Sequence, residues 1–234
     1  MLSTKTEQNL IANLVGRGVA LLSTVALVPL YLRLLGPEGY GLVGFYTALL
    51  SVLALSDLGL SATLSRELAR LSGHSEMAPM RDAVRTMELL YGGIVLALFV
   101  LLFASSAFIG SEWIQSGTAN ADTVVRSVRL MSAAGSLQLA SGIYQGGLIG
   151  LQRHVRLNVV LSSSALLRGG VTTAALVFVD KTPTVFFVCQ VATGIFVLLW
   201  MRKEAWEAIA DPGHRPSFQR EVVVSAWRYA TGMM

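Results

Sequence analysis

The sequence predicts an all-α fold, a polytopic membrane helical bundle of six transmembrane helices followed by the start of a seventh. Three observations predict it. First, 53% of the 234 residues are hydrophobic and only 14% are charged, with a mean hydropathy of +0.61. Soluble domains carry about 25% charged residues, and a soluble chain this apolar would precipitate. Second, four windows contain no charge at all: Gly39–Ser56, Leu89–Ser111, Leu130–Gln152 and Thr182–Met201. A helix needs about 20 apolar residues to cross a bilayer core. Third, these windows are continuously apolar rather than alternating. That selects helices over a closed barrel, the two arrangements that satisfy the backbone in lipid. The same composition excludes disorder and argues against a soluble enzyme.

The elements follow in chain order. The first span covers about 10–32 and carries Arg17 inside it. Its apolar stretch is too long for a cleavable signal peptide. Gly36-Pro37-Glu38-Gly39 reads as a tight turn into the second span, about 40–63. The third, fourth and sixth spans cover about 88–109, 127–151 and 183–201, and the fifth, about 157–179, carries Arg168. Residues 1–220 are thus expected to form an N-terminal six-helix lobe. The apolar run Val222-Val223-Val224-Ser225-Ala226-Trp227 makes 221–234 the expected start of a truncated seventh helix. With a cytoplasmic N-terminus, the cytoplasmic segments hold about 11 cations against 2–4 on the other side, the bias that sets orientation. The net charge of +4 is therefore a topology signal of a lipid-bilayer protein. No basic cluster carries interleaved aromatics, so no nucleic-acid partner is expected.

Two glycine motifs are read as packing devices. Gly39-Tyr40-Gly41-Leu42-Val43-Gly44 matches G-x-G-x-x-G, and Asp57 even follows at a suitable distance. A dinucleotide site needs a strand before the motif, whereas membrane helices flank it here. Its later glycines are expected to let helices pack closely, as are Gly146 and Gly150. The lone Cys189 excludes an intrachain disulfide, and His74, His154 and His214 lack metal-ligand spacing. No histidine lies in a span to activate a serine, so neither an enzyme, a cofactor nor a metal is expected.

Ionisable residues at membrane depth are the informative ones, because each is costly there. Arg168 lies about 16 Å from either end of its span, too deep to snorkel, and should face the bundle interior or a watery cavity. Ser164 and Thr172 share its face. Arg17 lies about 10 Å inside the cytoplasmic end of its span, on a polar stripe with Asn13, and Asp57 lies about 9 Å inside on the second span. The two share a layer and are expected to pair or to line one cavity. Gln138, Ser141 and Gln145 form a further polar stripe on the fourth span, read as interhelical hydrogen bonding.

Two stretches carry a family resemblance. Leu34-Leu35-Gly36-Pro37-Glu38-Gly39-Tyr40-Gly41, with Leu55-Ser56-Asp57-Leu58-Gly59-Leu60 and Ser65-Arg66-Glu67-Leu68-Ala69-Arg70 after it, resembles the polysaccharide (O-antigen and exopolysaccharide) flippase family. Tyr144-Gln145-Gly146-Gly147-Leu148-Ile149-Gly150-Leu151-Gln152-Arg153 with Asn158 supports it. This family is a branch of the multidrug/oligosaccharidyl-lipid/polysaccharide exporter superfamily. The resemblance covers about residues 8–234. It implies two six-helix lobes, of which this chain holds one, and a lipid-linked (undecaprenyl-pyrophosphate) oligosaccharide as the partner moved across the cytoplasmic membrane for polysaccharide or lipopolysaccharide biosynthesis. A second lobe or a homodimer would complete the machine. Related lipid flippases use cavity arginines, which carries over here to Arg17 and to Arg66 at the cytoplasmic mouth. The superfamily leaves proton or sodium coupling open. Asp57, the acid well inside a span, is the coupling or switch candidate. Arg17, Asn13, Arg168 and Arg66 are the substrate-binding candidates. The alternatives are a multidrug or cation extruder of the same superfamily and a non-transporting membrane fragment.

Overall fold

A computed structural model of the chain describes residues 2–73, 77–109 and 121–224, with side chains for 27–73, 77–109 and 122–224. The described residues are α-helical with short turns, arranged as α1 Leu2–Leu55, α2 Leu60–Ser72, α3 Met77–Ala104, α4 Ser106–Phe108, α5 Ala121–Gly150, α6 His154–Phe178 and α7 Pro183–Ala208. Among them, Leu27–Leu55, Met77–Ala104, His154–Phe178 and Pro183–Ala208 are long and apolar enough to cross a membrane. The expected all-α membrane bundle is therefore observed.

α1 holds two helical arms, because Gly36 adopts φ 72°, ψ 172°. Only glycine takes that positive φ without Cβ strain. Pro37 starts the second arm, where its fixed φ suits a first helical turn. Gly39 then sits where a Cβ would meet Leu35 and Pro183, so the motif's first glycine is a close-packing residue. Gly41 and Gly44 are not: a Cβ there would meet nothing within 4 Å. The expectation of close packing fails for these two because they lie on the exposed side of the arm.

The expected second span, 40–63, is interrupted. Ser56–Gly59 form a turn in which Leu58 (φ 49°) and Gly59 (φ 75°) are left-handed. The chain resumes as α2, an amphipathic helix that buries Leu60, Leu64, Leu68 and Leu71 and exposes Arg66 and Arg70. The four leucines fall on one helical face, which selects helix at this spacing.

α5 is the central element and packs against α7, α2, α3 and α1. Its contact with α2 is made by glycines. A Cβ at Gly146 would meet the Ser61 carbonyl, and one at Gly150 would meet that of Ser65. These two glycines bring backbones together inside the bundle as expected. One apolar cluster, with Leu64, Leu68, Met87, Leu148 and Met201 at its centre, fills the α2 end of the bundle. A second, around Tyr46, Met131, Leu176 and Phe187, fills the opposite end. Outward-facing Leu96, Val100 and Leu101 on α3, Leu166 on α6 and Leu199 on α7 are more than half exposed. Water would not tolerate such a belt, and lipid does.

α5 itself is the least apolar long helix, which explains its absence from the apolar spans. Its serines face inward: Ser127, Ser132, Ser136 and Ser141 are buried.

Candidate functional site

Two cavities meet along α5. Leu50, Gln138 and Gln145 line both, so the two adjoin in one largely apolar passage with a few polar groups placed in its walls.

The first cavity, about 550 Å³, surrounds Arg168. α6 presents Arg168 beside Gly169, where a Cβ would come within 2.6 Å of Leu27. That missing side chain lets α1 close the cavity next to the guanidinium. Tyr31, Tyr40 and Tyr46 come from α1, Gln190 from α7 and Asn158 from the start of α6. Arg168 Nη1 donates to Gln138 Oε1 at 3.0 Å. Its buried Nε has no hydrogen-bond partner among the described residues, and neither has the buried Oγ of Ser164 one turn earlier on the same wall. Among the described residues Arg168 is in no ion pair. A half-buried cation with an idle N–H and a neighbouring idle hydroxyl offers an anion a charge and two hydrogen-bond donors. A guanidinium fork fits phosphate oxygens in two places.

The second cavity, about 580 Å³, contains Asp57. The carboxylate lies in the turn between α1 and α2. Its Oδ1 accepts from Ser61 Oγ at 2.5 Å and from Tyr91 OH at 2.8 Å. Both bonds fall on one oxygen, and no ion pair reaches Asp57 among the described residues. The helix break at 56–59 is what turns this side chain toward α3 and α5.

The sequence-predicted residues divide clearly. Arg168 and Asp57 are brought to adjoining cavities. Gln138, Ser141 and Gln145 line the Arg168 cavity, and the Gln138 bond to Arg168 is interhelical as expected. Arg66 is exposed on α2 and lines neither cavity. The Arg17 and Asn13 side chains lie outside the described residues, and so does the expected Arg17–Asp57 pair.

Two acids with evident structural work were missed. Glu88 Oε1 accepts from Trp206 Nε1 (2.7 Å), Tyr144 OH (2.8 Å) and Arg202 Nε (3.1 Å), and its Oε2 from Arg85 Nη1 (3.3 Å). It ties α3, α5 and α7 together. Its sequence signal was its place directly before the charge-free window at Leu89. Asp82, also on α3, accepts from His214 Nε2 (2.8 Å), Ser217 N (2.6 Å) and Gln219 Nε2 (3.2 Å) and so straps down the segment after α7. No local pattern marks that contact.

The family model described as "Polysaccharide biosynthesis protein" matches residues 7–232. No curated protein matches the chain. Several solved structures share the fold. A MOP superfamily transporter from Pyrococcus furiosus, described as having a binding pocket of reverse polarity, is 14% identical with a TM-score of 0.69, covering 94% of this chain and 49% of its own. A MATE structure in complex with Br-NRF is 15% identical with a TM-score of 0.73, covering 94% and 51%. An outward-facing multidrug resistance MATE transporter of the MOP superfamily is 17% identical with a TM-score of 0.69, covering 94% and 49%. The chain thus spans about half the length of the solved structures it matches, one lobe of that fold.

Proposed function

From the premise that this chain belongs to the polysaccharide biosynthesis protein family, a family of multi-pass membrane proteins within a transporter superfamily, we propose that it forms one lobe of a lipid-linked oligosaccharide flippase. The substrate is an undecaprenyl-diphosphate-linked oligosaccharide, moved from the cytoplasmic to the outer leaflet of the cytoplasmic membrane. The lobe crosses the membrane six times over residues 1–220, with the N-terminus cytoplasmic; the expected seventh helix over 221–234 lies mostly outside the described residues. Either a second lobe or a second copy completes an alternating-access machine rocking about a central site.

One observation carries this reading: the Arg168 cavity, whose cation has no counter-ion among the described residues and whose buried Nε and neighbouring Ser164 Oγ are without partners there. A diphosphate supplies the charge and the acceptor oxygens together. An extruder of cationic drugs would have to bring its substrate against that uncompensated arginine, so it ranks second. Arg17 and Asn13 would extend the anion site, with Arg66 an entry contact outside the cavity. Asp57 is the candidate for coupling to protons or sodium. Full transport by Asp57→Asn would remove that role.

Complementation of a flippase-deficient strain tests the reading, with the chain expressed alone and joined to a second lobe. Arg168→Ala is expected to abolish the rescue seen with the unmutated protein. Undiminished rescue by Arg168→Ala would overturn the proposal.

A further inference from the structure

We propose that the Asp57 cavity is a sugar subsite, which receives the first sugar of the lipid-linked substrate while Arg168 holds the diphosphate. The inference rests on the flippase reading above and adds to it a second, chemically distinct compartment.

Charge separates the two compartments. Among the described residues, one is lined by a guanidinium and the other by a carboxylate, and the Gln138 and Gln145 amides line both. A diphosphate is repelled by Asp57 and attracted by Arg168, so the passage orients the headgroup. A neutral, hydroxyl-rich group beyond the diphosphate would satisfy Asp57 without competing for Arg168. Oδ1 is already engaged by Ser61 and Tyr91, and among the described residues Oδ2 has no partner. Fixing one oxygen leaves the other aimed and ready to accept from a sugar hydroxyl, a charge-assisted bond that is stronger than a neutral one. Ser65 and Gln145 offer further polar groups, while Leu53 and Ile149 form apolar walls. An apolar pocket with a few placed polar groups is the usual form of a small-ligand site. The spacing along α5 is short. Gln138 bonds Arg168, and Gly142, whose Cβ position faces the Tyr91 and Ser61 hydroxyls that hold Asp57, lies four residues further along. That is about 6 Å at the helical rise, within the reach of a sugar next to the phosphates.

Two lipids test the assignment in nanodiscs: bare undecaprenyl diphosphate and the same lipid carrying one N-acetylglucosamine. The unmutated protein is expected to prefer the glycosylated lipid by about tenfold, the scale of one hydrogen bond to a charged group. Asp57→Asn keeps an acceptor for Ser61 and Tyr91, should hold or raise the bare lipid's affinity because it removes a charge that repels the diphosphate, and should erase the preference. An Asp57→Asn protein that keeps the preference, or loses both lipids equally, overturns the sugar subsite. Arg168→Ala serves as the separate control: unchanged binding of the bare lipid would overturn the diphosphate reading instead. A photoreactive group on the sugar probes the unmutated protein directly. Crosslinks at Ser65 or Ile149 support the subsite, and crosslinks at Gln190, which lines only the Arg168 cavity, overturn it.

Discussion

Replacing Glu88 by alanine should destabilise the lobe by an amount that its contacts allow to be worked out. The Glu88 side chain is 8% exposed and accepts four hydrogen bonds from three helices. Alanine leaves Trp206 Nε1 and Tyr144 OH without their acceptor, at about 1 kcal/mol each for partly buried neutral donors. Arg85 and Arg202 are 43% and 49% exposed and regain water. Their joint loss is therefore held to about 1 kcal/mol rather than the several expected for a fully buried pair. The sum is about 3 kcal/mol, which corresponds to a fall in Tm of about 9 °C for a chain of this size. Glutamine keeps the oxygen that accepts from Trp206, Tyr144 and Arg202 but loses the charge and the acceptor for the exposed Arg85, so Glu88→Gln should cost about 1 kcal/mol. Thermal unfolding of the detergent-purified protein, followed by tryptophan fluorescence, measures both, with Trp206 reporting from the site itself. If Glu88→Ala melts within about 2 °C of the unmutated protein, less than 1 kcal/mol, the carboxylate is not the brace described here.

Two further outcomes follow from the packing. Gly146→Ala drives a methyl into the Ser61 carbonyl and should destabilise by about 1–3 kcal/mol, whereas Gly41→Ala meets open space and should be neutral or slightly stabilising; denaturant titration compares them, and equal effects would refute the α5–α2 glycine contact. Asp82→Ala should free the strap after α7, so trypsin should cut faster after Arg220, while Arg215 stays protected in both forms by the proline that follows it. An unchanged cleavage rate would show that Asp82 does not hold the segment.

The membrane class, the long apolar helices and the turn at Gly36 were legible because each depends on residues close together in the chain. Arg168 was legible for the same reason: a cation at the middle of an apolar run is costly wherever the neighbouring helices lie. The second span shows where this stops. Ser56 and Asp57 interrupt its apolar run only briefly before Leu58, yet the helix breaks at Ser56–Gly59, with Asp57 bonded to Tyr91 on α3 and Gly142 on α5 packed against that tyrosine's hydroxyl. Gly41 and Gly146 make the same point. Their local motifs look alike, and only the neighbour across the interface separates an idle glycine from an essential one.

By itself, then, the sequence determined that the chain is a helical membrane lobe, where it turns at Gly36, and that Arg168 stands in the middle of an apolar run. Those properties are sums over contiguous residues and the solvent they meet. Tertiary structure alone decided that Arg168 meets Gln138, that Asp57 is held by Ser61 and Tyr91 in the adjoining cavity, and that Glu88 and Asp82 act as brace and clamp. Except for the Ser61 bond, each of these joins side chains far apart in the chain. Their energy exists only once the helices have packed and the local dielectric has fallen.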